Sequence, residues 1–166
     1  MDDPKKTSNH ACNTASDQDA EQFEKVALEE LKRFGFRITM ARLQVIRALA
    51  ESRSALSAND IHERISQSGG RIDTVSVYRI LSTLQESGLV HHIGIADGYV
   101  ACREAGRHQH PVQHLVCQDC GCIVESVPTA EMLESLRNHA TEAGFIPRDI
   151  RIELMGVCSH CQPAAS

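Results

Sequence analysis

Two C-x-x-C pairs constrain this chain more than any other feature. The stretch HLVCQDCGCIVES carries Cys117 and Cys120, and after a further 37 residues VCSHCQ carries Cys158 and Cys161. The spacing within each pair lets both sulfurs bend around one ion, and four thiolates neutralise and satisfy a tetrahedral Zn²⁺. A thioredoxin-like redox centre needs one C-x-x-C opening a helix, whereas these pairs fall in a strand turn and a polar tail. The cysteine count of seven is odd. The first residues, MDDPKKTSNHACNTASDQDAEQ, hold no apolar export segment, so thiols or ligands are expected rather than disulfides. A site with all four positions filled by protein is closed: it holds a fold and catalyses nothing. Cys122, two past Cys120, reads as a spare thiol, and Cys12 with His10 reads as part of a polar tail without a metal role.

Periodicity divides the chain in two. Residues 1–21 read as a disordered tail. From Gln22 to about Ser87 four helices follow, with Phe23, Val26, Ala27, Leu31 and Phe34 at helical spacing in the first and Gly35 ending it. Thr39 caps the second, Ser57 with Asp60 makes a capping signature for the third, and Thr74 is expected to cap the fourth. A hairpin is expected next, in LVHHIGIADGYVACRE, with Asp97-Gly98 as a two-residue loop. Helices followed by such a hairpin outline a winged helix-turn-helix, assigned to residues 22–104. Residues 105–162 then read as a small α+β unit. It has strands at 112–117, 121–127 and 149–155, a helix from Thr129 to Ala143, and a short tail at 163–166. One helix and three strands bury little apolar area, so a metal or a partner subunit is needed to stabilise the unit.

The net charge of −5 argues at first against a nucleic-acid partner. Its distribution does not. Residues 31–53 hold six basic side chains, Arg37 and Arg42 among them, against Glu51 alone, and an acidic protein can carry a basic face. In a winged helix the last helix enters the major groove. There Arg79 suits a guanine edge, Tyr78 a phosphate or thymine methyl, and Ser76 and Thr83 phosphates. No segment reaches the apolar length of a membrane span, and a cytoplasmic protein is expected.

The hairpin brings up a second group of possible ligands. With Asp97-Gly98 as the loop, Ile93 pairs with Cys102 and His91 with Glu104. Cys102 and His91 then share a sheet face as diagonal neighbours, with Cβ atoms about 7–8 Å apart. A third ligand can come from RHQHPVQH and a fourth from Glu125, giving a site that bridges both halves of the chain.

GFRITMARLQVIRAL, TVSVYRILSTLQESGLV, HLVCQDCGCIVE and the closing CSHC together resemble the ferric uptake regulator family of bacterial metal-dependent repressors, over roughly residues 22–161. The resemblance implies a winged-helix DNA-binding domain hinged to an α+β dimerisation domain, and a homodimer on a palindromic operator. The pattern GLVH…GYVAC…H…CxxCGxxxE is similar to the zinc uptake regulator branch. That branch implies a regulatory site on His91, Cys102, His110 and Glu125, with His114 as an alternate to His110. Two zinc ions per subunit follow, one structural and one regulatory, with zinc-uptake genes as targets. An iron-, manganese- or peroxide-sensing repressor of the same family is the nearest rival. A zinc enzyme is remote, because the chain has no H-x-E or H-E-x-x-H, and neither catalytic residues nor a small-molecule substrate is expected.

Overall fold

The computed structural model describes residues 15–105 and 111–162. Local signals start its helices. Ser16, Thr39, Ser57, Asp73 and Thr129 each accept a hydrogen bond from a first-turn backbone N–H, opening α1 (Asp17–Arg33), α2 (Met40–Ala50), α3 (Ala58–Gln67), α4 (Thr74–Glu86) and α5 (Ala130–Glu142). At Ser57 the capping box is complete, with Asp60 reaching back to the Ser57 N–H at 2.8 Å. Leu31, Ile46, Leu49, Ile61, Leu81 and Leu84 interlock α1–α4 and are each almost fully buried. Each contributes about 1.5–3 kcal/mol of transfer free energy. None of the helices among the described residues is long and apolar enough to cross a membrane.

Three expectations need correction. The first helix starts at Asp17, so the tail assigned to 1–21 extends too far. Ser16 caps that helix, Asp17 and Asp19 suit its N-terminus, and Arg53 pairs with Asp19. The cap of α4 is Asp73 rather than Thr74, which is the first helical residue. The hairpin of β1 (Val90–Ile93) and β2 (Gly98–Ala101) pairs His91 with Val100 and Ile93 with Gly98. Its connection is a 3-10 turn, Gly94–Ala96, closed by Asp97 at φ 44°, in place of a two-residue loop. The register therefore differs by four residues from the expected one. Four is even, so every side chain keeps its face.

In the second half, β3 (Gln113–Cys117) is central. It pairs antiparallel with β4 (Ile123–Ser126) and parallel with β5 (Ile152–Gly156). Two rows cross this sheet on opposite faces. Glu125, His114 and Glu153 stand in register on the face turned to the wing. Val124, Leu115 and Leu154 stand in register on the other face, and all three are exposed. No residue of α5 is buried, and its Met132 and Leu136 are exposed as well.

Candidate metal centres

Cys117 and Cys120 sit in the turn between β3 and β4, and Cys158 and Cys161 follow β5, which runs beside β3. Backbone bonds shape the knuckle: Gly121 N–H donates to Cys117 O at 2.8 Å and Cys117 N–H to Cys122 O at 2.9 Å. Gly121 has φ +74°, a conformation a side chain would strain. All four sulfurs lie within 4.8 Å of one another, and Cys120 Sγ is 3.7 Å from Cys158 Sγ. A tetrahedron with Zn–S near 2.3 Å has an S–S edge of about 3.8 Å, so the donor set fits zinc. Burial opposes ionisation of Cys117, but N–H groups including that of Cys158 outweigh it and bring the thiol down to about 6. Cys122 is buried against Cys117 and Cys120 but lies outside the four-sulfur group. No disulfide forms among the described residues.

The second group lies between the wing and the three-stranded sheet. His91 on β1, Cys102 just past β2 and Glu125 on β4 place one ligand atom each within 4.8 Å of the others. Cys102 N–H donates to Leu89 O at 2.9 Å, so Cys102 is the diagonal neighbour of His91 across the hairpin in the observed register too. Glu125 Oε1 lies 3.4 Å from Cys102 Sγ and accepts the N–H groups of Arg103 and Glu104 at 3.1 and 3.2 Å. Its Oε2 lies 3.3 Å from His114 Nε2 and 3.7 Å from His91 Nε2. Burial pushes the Cys102 thiol up, with the Glu125 charge adding to it. Burial likewise lowers His91, partly offset by Glu125. Burial works against the Glu125 carboxylate, yet the His114 bond and the His91 charge hold it below the usual range. His91 Nε2 is buried without a hydrogen-bond partner. His114 is 5% exposed and stands beside the group, its ring centroid 5.0 Å from that of His91. His110 lies outside the described residues.

Residues 33–155 match the ferric uptake regulator family. The chain belongs to that family. It is 31% identical to the ferric uptake regulation protein of Legionella pneumophila, over 81% of this chain and 97% of that one. It is also 31% identical to the zinc uptake regulation protein of Escherichia coli strain K12, over 75% and 72%. Among solved structures, a zinc uptake regulator complexed with zinc and DNA superposes with a TM-score of 0.76 at 26% identity, covering 86% of this chain and 94% of that one. The regulator XcZur matches in two forms. Its holo form scores 0.73 at 26% identity, covering 84% and 96%, and its apo form 0.52 at 27%, covering 87% and 98%. A member of the ferric uptake regulator family is a metal-responsive regulator of transcription, not an enzyme.

On α4, Tyr78 and Arg79 project into solvent. The other two candidates on that helix are turned to local partners: Ser76 Oγ donates to Asp73 at 2.6 Å and Thr83 Oγ1 to Arg79 O at 3.1 Å. Arg42 donates to the Arg37 carbonyl and stacks over Phe36 at 5.4 Å, which leaves the Arg37 side chain exposed. Sequence reasoning missed two anchoring residues, one within the first half and one between the halves. Arg103 donates to Ala50 O at 3.2 Å and Ser52 O at 3.0 Å, at the C-terminal end of α2. Glu153 accepts two N–H groups of the wing turn. Neither belongs to a motif. Only the tertiary register, placing Glu153 beside His114, could have revealed the second.

Proposed function

We propose that the chain is a dimeric, zinc-responsive repressor that binds a palindromic operator in double-stranded DNA and controls zinc-uptake genes in the cytoplasm. Cys102 carries this reading. It puts a thiol at the end of the wing, beside a carboxylate of the other half, and thiolate favours Zn²⁺ over Fe²⁺ or Mn²⁺. Equal identity to an iron and a zinc regulator leaves the metal open, so the ligand chemistry has to decide it.

In this reading Cys117, Cys120, Cys158 and Cys161 hold a structural zinc. His91, Cys102 and Glu125 hold a regulatory one, with His110 or His114 completing the set, making two per subunit. A cation at the hinge supplies the charge that lets the Glu125 carboxylate and the Cys102 thiolate lie side by side. His91 and Cys102 move with the wing and Glu125 with the three-stranded sheet, so gathering their donor atoms fixes one half against the other. Binding shifts the population only by its differential affinity for this arrangement. A second copy of the chain covers the apolar row of Val124, Leu115 and Leu154 with α5. The dimer then presents two α4 helices to successive major grooves about 34–36 Å apart, with Arg79 and Tyr78 at base edges and Arg37, Arg42, Ser76 and Thr83 near phosphates.

Elemental analysis of wild type and Cys102→Ala, before and after mild chelation, tests this. Two zincs per subunit are expected, one of them labile and absent from the variant. Iron or manganese filling a second site indifferent to Cys102 would move the chain to a different sensing branch.

A further inference from the structure

Glu153 lies on β5, outside both groups of candidate ligands, and its carboxylate reaches across to the wing. One oxygen accepts the Gly94 N–H at 3.0 Å and the other the Ile95 N–H at 2.9 Å. These are the first two residues of the 3-10 turn, whose leading N–H groups have no acceptor within the turn itself. A Cβ built on Gly94 would stand 3.6 Å from the same carboxylate, so the turn is seated directly on it.

The row across the sheet shows what this contact does. Glu125, His114 and Glu153 are consecutive cross-strand neighbours on β4, β3 and β5. Glu125 accepts the backbone N–H groups of Arg103 and Glu104, just past the end of β2. Glu153 accepts those of the turn between β1 and β2. Strands lie about 4.8 Å apart, so the two carboxylates stand about 10 Å apart, close to the roughly 13 Å length of a four-residue strand. One sheet row thus grips the hairpin at both ends.

We propose that Glu153 is a positioning residue, a latch made of hydrogen bonds rather than metal ligands, that seats the wing turn on the dimerisation sheet and so contributes to the closed arrangement that the regulatory zinc selects. The latch and the hinge ligands act on the two ends of one rigid ribbon, so holding the turn presents His91 and Cys102 to Glu125. By linkage, zinc binding at the hinge strengthens the latch in the same proportion. The coupling, though not the contact, rests on the reading of the hinge as the regulatory site.

The test uses the full-length zinc-loaded dimer and two variants. Glu153→Gln keeps one strong acceptor, and Ile95→Pro removes one donor from the wing without touching the sheet. Amide exchange at Gly94 and Ile95 in wild type, and at Gly94 in each variant, reads the contact. Chelator competition for the labile zinc reads the coupling. Gly94 and Ile95 should be protected in wild type, with Gly94 exchanging about tenfold faster in Glu153→Gln. Labile-zinc affinity should fall about tenfold in both variants, while the tightly held zinc is retained. Unprotected amides in the wild type, or unchanged zinc affinity in both variants, overturns the proposal. Wild-type operator binding that ignores zinc instead overturns the regulatory reading, and amide exchange still decides whether Glu153 grips the wing.

Discussion

Replacing Glu125 separates two jobs, anchoring the wing backbone, which its hydrogen bonds show, and supplying a ligand, which the proposed function assigns to it. Its Oε1 accepts from Arg103 and Glu104 at 3.1 and 3.2 Å, and its Oε2 is 3.3 Å from His114. The side chain is 5% exposed, so water replaces little of what is lost. Charge-assisted bonds contribute about 1.5–3 kcal/mol each and neutral ones about 0.5–1.5. Glutamine keeps a carbonyl oxygen for the two backbone donors and loses roughly 1 kcal/mol at each, about 2 kcal/mol in all. Alanine leaves those donors and His114 buried without a partner and should cost about 3–5 kcal/mol. Both variants lose an anionic hinge ligand, so labile-zinc affinity should fall further than the ~10–100-fold typical of losing a supporting residue. Urea unfolding of protein stripped of its labile zinc measures the first difference, and chelator competition the second. Equal unfolding midpoints for the two variants would refute the anchoring argument. Wild-type zinc affinity in Glu125→Gln would refute the ligand assignment.

Four further outcomes follow. Removing the tightly held zinc with a strong chelator, or replacing Cys158 with Ser, should unfold residues 111–162 and dissociate the dimer, seen by circular dichroism and sedimentation, because α5 buries no side chain. Gly98→Ala places a Cβ 3.0 Å from the Leu56 backbone carbon, which cannot give way as a side-chain tip can; about 1–3 kcal/mol of stability should be lost in urea melts. Arg79→Ala should lower operator affinity by about 1–3 kcal/mol and relax preference at one base pair, whereas Arg37→Ala should weaken binding uniformly and reduce its salt dependence, both read by fluorescence anisotropy. The Ser76 hydroxyl and N–H hold Asp73 below its ordinary 3.8. The α4 cap is therefore complete above that value and lost as pH falls through the depressed one, which amide shifts of Ser76 should track.

What was legible in the sequence was what depends on neighbours in the chain. Caps at Thr39 and Ser57 are local chemistry, and so are the knuckle spacing and the apolar stripe of Val77, Leu81 and Leu84. Asp73 was passed over for Thr74 because both residues can cap and only the backbone decides between them. The hairpin loop was misread because Asp-Gly is a strong two-residue turn signal. Here Asp97 takes the left-handed conformation at the end of a longer turn, and Gly98 begins the strand where Ala55 and Leu56 press on it. The hinge group survived that error only because a four-residue slip conserves faces. The Arg103 and Glu153 contacts were invisible, since each joins segments about 50 residues or more apart through backbone groups that carry no sequence signature.

The same non-local bonds bear on how far the Cys₄ knuckle is merely a staple for its own half. Leu56, in the link between α2 and α3, exchanges both backbone bonds with Tyr99 of the wing, at 2.9 and 2.8 Å. Three residues earlier, Arg53 O accepts the Ile123 N–H at 2.8 Å, and Ser54 bridges Cys122 in the knuckle. A ribbon of backbone bonds thus runs from the wing through residues 53–56 into the loop that carries Cys117 and Cys120. Arg103 holds the same region from the other side, through the carbonyls of Ala50 and Ser52. The link between α2 and α3 is therefore held both by the knuckle and by the residue next to Cys102. Weakening either hold loosens the platform that orients α4, so the two metal groups should be coupled even though no side chain is shared between them. A double-mutant cycle of Ile123→Pro, which removes the N–H that Arg53 O accepts, with Arg103→Met should give operator affinities that are not additive. Additive losses would mean that the knuckle serves its own half alone.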